Sequence, residues 1–303
     1  MMDTQTFSEA EIKAMVSRIV GAMQTAPPEP GHAPAGGVPS AAAPAAPVGS
    51  MGGSTVEDTS PAARFAVPHP ANRGAYLDLL ASTPARIGEW RAGPRPTVAS
   101  LLRFRADHAG AMDAVFNDVP DQLPEQWGLL PVQSAAPDKQ AYLMDPSIGA
   151  RFTPETAKLI SERCAHGVQV QVIVSDGLSS AAVVANVPDV LPSLLQGLQR
   201  HNLTVGTNLY VKYGRVRIMD EVTALVGSTV TIILVGERPG LVTNESLSCY
   251  MTYRGHPGIA ESARTVVSNI YRQGTPPVEA GAYLADIARK MLDAQASGMD
   301  LRL

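Results

Sequence analysis

The sequence predicts an α/β fold: a Rossmann-like parallel sheet flanked by helices, preceded by a small helical domain and a flexible N-terminal extension. Three observations carry this expectation. First, Thr229 to Val235 is a β-branched, largely apolar run without polar alternation, the pattern of a strand buried on both faces of a parallel sheet. Gly236, Pro239 and Gly240 stop it abruptly, and Glu237 and Arg238 stand where the buried strand ends. Second, strand-like and helix-like segments alternate from Phe152 onward, and right-handed crossovers between such units make a sheet parallel. Third, residues 25–61 are mostly Ala, Pro and Gly with almost no large apolar groups, so they cannot bury enough surface to order themselves. The expected division is therefore an amphipathic targeting helix at 1–24, a linker at 25–61, a helical domain at 62–150 and the α/β domain at 151–303.

The elements follow in order. Ser8 and Glu11 make a capping-box pattern, and Ile12, Met15, Val16, Ile19, Val20 and Met23 share one helical face. An amphipathic helix tethered by a linker is a docking element, and a polar face that is not strongly basic favours a protein partner over a lipid surface. Ala75–Ala81 and Thr97–Phe116 read as helices, the second with Leu101, Leu102, Phe104, Ala109 and Met112 as its apolar side. Arg86 to Arg105 holds five arginines against one glutamate. This stretch is a solvated or subunit-facing surface, or a grip on phosphate or carboxylate.

Thr153 caps a helix with Pro154 at its first position, running to about Cys164. Val168–Val174 is a strand, closed by Ser175-Asp-Gly-Leu-Ser179. Helix then comes in two pieces, Ser179–Val187 and Leu191–His201. Val205–Lys212 reads as a strand, Arg215–Ile218 as short and extended, and Asp220–Gly227 as helix. After the central strand, Leu247–Tyr253 adds one more. Ile259–Tyr271 and Val278–Met291 read as helices, with Gly274 ending the first and Pro276-Pro277 between them.

Composition excludes several classes of function. A net charge of −4 argues against a nucleic-acid partner, whose phosphates demand a basic surface. No apolar run reaches the roughly 18 residues of a membrane span, so no membrane partner is expected. Asp3, Glu9 and Glu11 interrupt what would be the apolar core of a signal peptide. Cys164 and Cys249 are the only cysteines, too few for a disulfide framework, which makes a reducing cytoplasm the default.

No standard catalytic motif is present. Asp176-Gly-Leu-Ser-Ser lacks the second glycine of a hydrolase elbow. No G-x-G-x-x-G follows a strand and no phosphate loop ends in G-K-[S/T]. The six histidines are scattered without metal-ligand spacing. The pattern D-x-H-x-x-G, with which some corrinoid enzymes supply a histidine to cobalt, is also absent. Three turns remain, Ser175-Asp-Gly-Leu, Tyr213-Gly-Arg-Val216 and Gly236-Glu-Arg-Pro-Gly. All could line the strand-end edge of the sheet, where α/β folds bind ligands. Equally, each could be a tight turn that needs glycine for its backbone.

These residues resemble a family, the small (light) subunit of ethanolamine ammonia-lyase. The marks are Arg91-Ala-Gly-Pro-Arg-Pro, Leu101-Leu-Arg-Phe with Ala106-Asp-His, Val174-Ser-Asp-Gly-Leu-Ser179, Lys212-Tyr-Gly-Arg-Val216 and Val235-Gly-Glu-Arg-Pro-Gly-Leu241. Glu245-Ser-Leu-Ser-Cys-Tyr250, Ser268-Asn-Ile and Gly274-Thr-Pro-Pro-Val-Glu-Ala280 continue the series.

The resemblance implies deamination of ethanolamine to acetaldehyde and ammonia through radicals, with adenosylcobalamin as cofactor. It implies a large subunit as partner, which holds the substrate and most of the chemistry, while the small subunit closes over the cobalamin at their interface. Cofactor contacts carried over from the family fall on Val216, Glu237 and Val266, with no catalytic or metal-ligating residue in this chain. Family members can carry cysteine where Val266 stands, and valine serves there if the contact is packing or main chain. The corrinoid is expected base-on, which fits the missing D-x-H-x-x-G. The helix at 1–24 is expected to meet a shell or cargo protein of a bacterial microcompartment in the cytoplasm. A stand-alone α/β nucleotide-binding enzyme and a purely structural subunit are the competing readings.

Overall fold

A computed structural model describes residues 65–302 except residue 84, so the targeting helix expected at 1–24 and the linker expected at 25–61 lie outside the described residues. Helix α1 (Arg73–Ser82) starts on the Asn72 side chain. A two-residue ribbon, β1 (Arg91–Ala92) with β2 (Arg95–Pro96), precedes α2 (Val98–Phe116), which Thr97 caps. Then come the short α3 (Leu123–Gln126), strand β3 (Leu130–Gln133) and α4 (Lys139–Met144). Helix α5 (Pro154–Arg163) has Thr153 as its cap and Pro154 in its first turn, as the sequence predicts. The doubly wound part is β4 (Val170–Ser175), α6 (Ser180–Arg200), β5 (Leu209–Lys212), α7 (Ile218–Val226) and β6 (Val230–Gly236). Strands β7 (Leu247–Tyr253) and β8 (Thr265–Ile270) and helix α8 (Pro277–Ala294) follow.

The six strands of the main sheet lie in the order β3-β5-β4-β6-β7-β8. The first four are parallel, while β7 pairs antiparallel with β6 and β8 antiparallel with β7, so β7 alone runs against the rest. The parallel expectation thus holds for the doubly wound half, and the sheet as a whole is mixed. The connection explains the change. Only a loop, residues 237–246, joins β6 to β7, and a parallel crossover needs a dozen residues or more, usually with a helix. Strand β3 comes from the stretch expected to be helical. Four residues with a proline are too short to show a period, and the free edge of β5 is what orders them.

Two apolar layers sandwich the sheet. On one face Val172, Val174, Ile232, Leu234 and Cys249 pack against α6 and α8. On the other, Ile173, Val211, Ile233 and Val235 pack against α5 and α7. Strand β6 is buried along its whole length because both layers cover it, which is why its sequence lacks alternation.

Four expectations need correction. Helix α6 is continuous rather than split, although Pro188 and Pro192 lie inside it. Both prolines are exposed, while Val183, Val187, Val190, Leu191 and Leu194 form an unbroken buried stripe. Carbonyls that lose their partners to proline thus face water, and burial holds the helix together. It is also the described helix long and apolar enough to cross a membrane, but here it is the packed crossover helix of the core. The segment Ile259–Tyr271 is not a helix: Glu261–Ala263 is one 3₁₀ turn and Thr265–Ile270 is β8. Its β-branched residues take the edge offered by β7, so tertiary pairing overrides the apparent helical pattern. Arg215–Ile218 is a turn leading into α7 rather than an extended piece, and β5 begins only at Leu209.

Candidate functional site

Strand β7 differs from β6 in one way that matters. Its residues Leu247, Cys249 and Met251 point into the α6/α8 layer. Its other face presents Ser248, Tyr250 and Thr252, and the α5/α7 layer does not extend over β8, where Val266 is 47% exposed. An open cleft of about 520 Å³ lies over this part of the sheet. Glu237, Arg238, Leu241 and Val242 line it from the β6–β7 loop, Ser248 and Tyr250 from β7, and Val266, Ser268 and Asn269 from β8.

The loop that carries Glu237 is set by a close approach of two glycines. Gly177 has φ +55°, and a Cβ there would strike the Gly236 carbonyl and Val235. A Cβ on Gly236 would strike the Ser179 and Asp176 carbonyls, and Leu178 N–H donates to Gly236 O at 2.9 Å. Further along, the loop is pinned by other elements. Ser179 Oγ donates to Asn244 O at 2.6 Å, Asn186 Nδ2 to Glu245 O at 2.7 Å, and Arg86 to Leu241 O at 3.1 Å. Arg86 also pairs with Asp107 and Glu89. Of the five arginines counted from the sequence, this one thus serves as a brace for the cleft loop.

Glu237 is half-buried and accepts a hydrogen bond from Tyr250 Oη at 3.1 Å. Burial, and then the adjacent Glu237 carboxylate, push the Tyr250 hydroxyl up to about 12, so it keeps its proton and remains a donor. Tyr250 stands opposite Val266 in the ladder. Two further features of the cleft escape sequence reasoning. Ser248 is fully buried and its Oγ has no hydrogen-bond partner. The β7–β8 pairing is irregular beside it, and Asn269 adopts φ +58° at that irregularity. The only signal available from the sequence was the alternation Ser248, Tyr250, Thr252 in a strand whose other face is apolar.

Val216 does not line the cleft. It sits half-buried in the turn between β5 and α7 and packs on the same apolar layer as Tyr250. The turn is held tightly. Tyr213, at φ +58°, donates its N–H to Asp176 Oδ1 at 2.7 Å, and Gly214 N–H donates to Ser175 Oγ at 3.1 Å. Tyr142 Oη reaches both Gly177 O and Gly214 O, at 2.8 and 3.0 Å. Two of the three candidate turns therefore bond to each other around the Tyr142 side chain, and the Gly236 turn alone opens onto the cleft. A charge network ties the Val216 turn to β8: Arg217 pairs with Glu261, and Arg264 pairs with both Glu261 and Asp220. The structure thus brings Glu237 and Val266 into one cleft and places Val216 on a neighbouring turn.

Residues 73–302 match the family model described as ethanolamine ammonia-lyase light chain. The ethanolamine ammonia-lyase small subunit of Clostridium perfringens is 50% identical over 236 residues, which cover 78% of this chain and 80% of that protein. The small subunits from Listeria monocytogenes and Clostridium tetani are 47% and 49% identical, with the same coverage of both chains. This chain belongs to the ethanolamine ammonia-lyase light-chain family. It is one subunit of a heteromeric lyase, and its family's name implies a large subunit as partner. The match to the light-chain family begins at α1 and runs through the whole sheet, so every cleft residue lies inside it.

Proposed function

We propose that this small subunit serves the deamination of ethanolamine to acetaldehyde and ammonia by closing over adenosylcobalamin where it meets the large subunit. One observation carries the reading: Glu237 and Val266, distant in sequence and both assigned to the cofactor by resemblance, line the same cleft. The chemistry of the lining fits a corrinoid. Leu241, Val242 and Val266 offer apolar surface to the hydrocarbon of the ring, and Glu237 offers an acceptor to the amides at its edge. At about 520 Å³ the cleft suits a ligand of drug size rather than a whole corrinoid, so this chain supplies one wall and the large subunit the rest.

When bound, the cofactor supplies the radical chemistry, and the protein supplies binding, orientation and exclusion of water. In this chain Glu237, steadied by the Tyr250 hydroxyl, orients the edge of the ring. Val266 and the apolar part of the loop keep water from that edge. The Val216 turn, braced by Arg217 and Arg264, supports the neighbouring wall. For residues 1–24 the amphipathic pattern supports docking to a microcompartment shell or cargo protein.

Co-expression with the large subunit tests the proposal. The purified complex should bind cyanocobalamin, and Glu237→Ala should weaken that binding by roughly 1–3 kcal/mol, the scale of a lost hydrogen bond to a charged group. Unchanged affinity in Glu237→Ala, or full turnover by this chain alone, would overturn it.

A further inference from the structure

Ser248 is an anomaly within the cleft. A buried hydroxyl almost always has a partner, because leaving one without a hydrogen bond costs the desolvation of the group. Ser248 has no exposure and its Oγ has no partner; Thr252 on the same face is likewise buried with an unpartnered hydroxyl, but of the two only Ser248 lines the cleft. Tyr250 donates to Glu237. The same position also faces a backbone irregularity. Between Leu247 and Cys249 the register with β8 slips, so Ser268 and Asn269 together oppose the single residue Ser248. Bulges of this kind re-aim side chains beside functional sites. Asn269 takes the left-handed conformation there, its main-chain carbonyl accepts from Thr275 N–H at 2.8 Å, and it is among the residues that line the cleft.

We infer that Ser248, with Asn269 at the bulge of β8, is a hydrogen-bonding station for a primary amide at the edge of the corrinoid. This rests on the reading that the cleft holds that cofactor, and it adds a second contact separate from Glu237. The chemistry selects the ligand group. A serine hydroxyl and an asparagine carboxamide can each donate and accept, which complements a carboxamide that does both. A carboxylate on the ligand could only accept and would leave the acceptor capacity of both groups unused, so a neutral amide is favoured. The hydroxyl without a partner in the free subunit becomes paired when the cofactor is held, so its cost in the empty subunit turns into selectivity for the bound group.

The test uses the complex of the full chain with the large subunit, and cyanocobalamin as probe. Ser248→Ala should weaken binding about 3- to 10-fold, the effect of one neutral hydrogen bond. Asn269→Gly, which keeps the positive φ and removes the carboxamide, should do the same. Urea unfolding of the full chain should show Ser248→Ala at least as stable as the parent, since an unpartnered buried hydroxyl has been removed. Corrinoids with one peripheral amide hydrolysed to the acid identify the contact. At least one should bind the parent complex more weakly and show no further loss with Ser248→Ala. Full additivity across that series, or a destabilised Ser248→Ala with parental affinity, would overturn the station and make Ser248 structural. If Glu237→Ala weakens binding and Ser248→Ala does not, only this inference fails. If neither does, the cofactor reading of the cleft fails with it.

Discussion

Asp176 directly follows β4 with no exposure to solvent, and its carboxyl has Lys139 Nζ at 3.6 Å and the Tyr213 N–H at 2.7 Å beside it. Burial raises its pKa from the ordinary 3.8 to about 6, against the opposing pull of Lys139 and the Tyr213 N–H. The folded state therefore holds a proton that the unfolded state has released between these two values. The stability that this one carboxyl contributes is fully present below about 3.8 and is lost as pH rises through about 6. Urea unfolding between pH 4 and 7 should show that decline. Asp176→Asn keeps an acceptor for Tyr213 and removes the charge, so its unfolding free energy should fall less over the same range. Arg264 is the opposite case, a charge whose partners are all present. Its side chain is 1% exposed and forks onto Asp220, itself 5% exposed. Arg264→Met leaves that carboxylate buried and alone, which should cost about 3–5 kcal/mol in urea unfolding. The same change should loosen the brace between the Val216 turn and β8.

At the level of elements, the closest packing in the site is between the turn after β4 and the end of β6. Gly236 tolerates no side chain: an added Cβ would lie 2.5 Å from Asp176 O and closer still to Ser179 O, both main-chain atoms. Gly236→Ala should therefore lower the unfolding free energy by about 1–3 kcal/mol, as overpacking does. Because Glu237 follows directly, it should also weaken corrinoid binding by the complex. This junction was legible in the sequence, since a buried run that stops at glycine and then presents charges has few alternative structures. The helices α5 and α8 were legible for the same reason, through Thr153-Pro154 and Pro276-Pro277. Strand β8 was not legible: Thr265, Val266 and Val267 suit a strand, but only the edge of β7 decides between strand and helix. Nor were the pairing of Glu237 with Tyr250 and the solitary Ser248 hydroxyl, because both depend on register across a ladder that the sequence does not specify. The prolines of α6 misled in the other direction: they lie on its wet side, where water can satisfy the carbonyls they leave without partners, and the buried stripe holds the helix together.

On the scale of the whole chain, two parts with different work can be separated by experiment. The match to the light-chain family covers 73–302 and contains the sheet, the cleft and every residue proposed to touch the cofactor. Residues 1–24 lie outside that match, and their apolar stripe has the spacing of a helix that docks onto another protein. If the division is physical, removing 1–24 should leave kcat/KM of the co-expressed complex within about twofold of the parent, since no transition-state contact is lost. The same deletion should abolish co-fractionation with a microcompartment shell. Assaying activity and co-fractionation on the same preparation keeps the two effects apart. A collapse of kcat/KM would mean that the N-terminal helix packs into the enzyme, and retained co-fractionation would mean that the shell is recognised through the folded part instead.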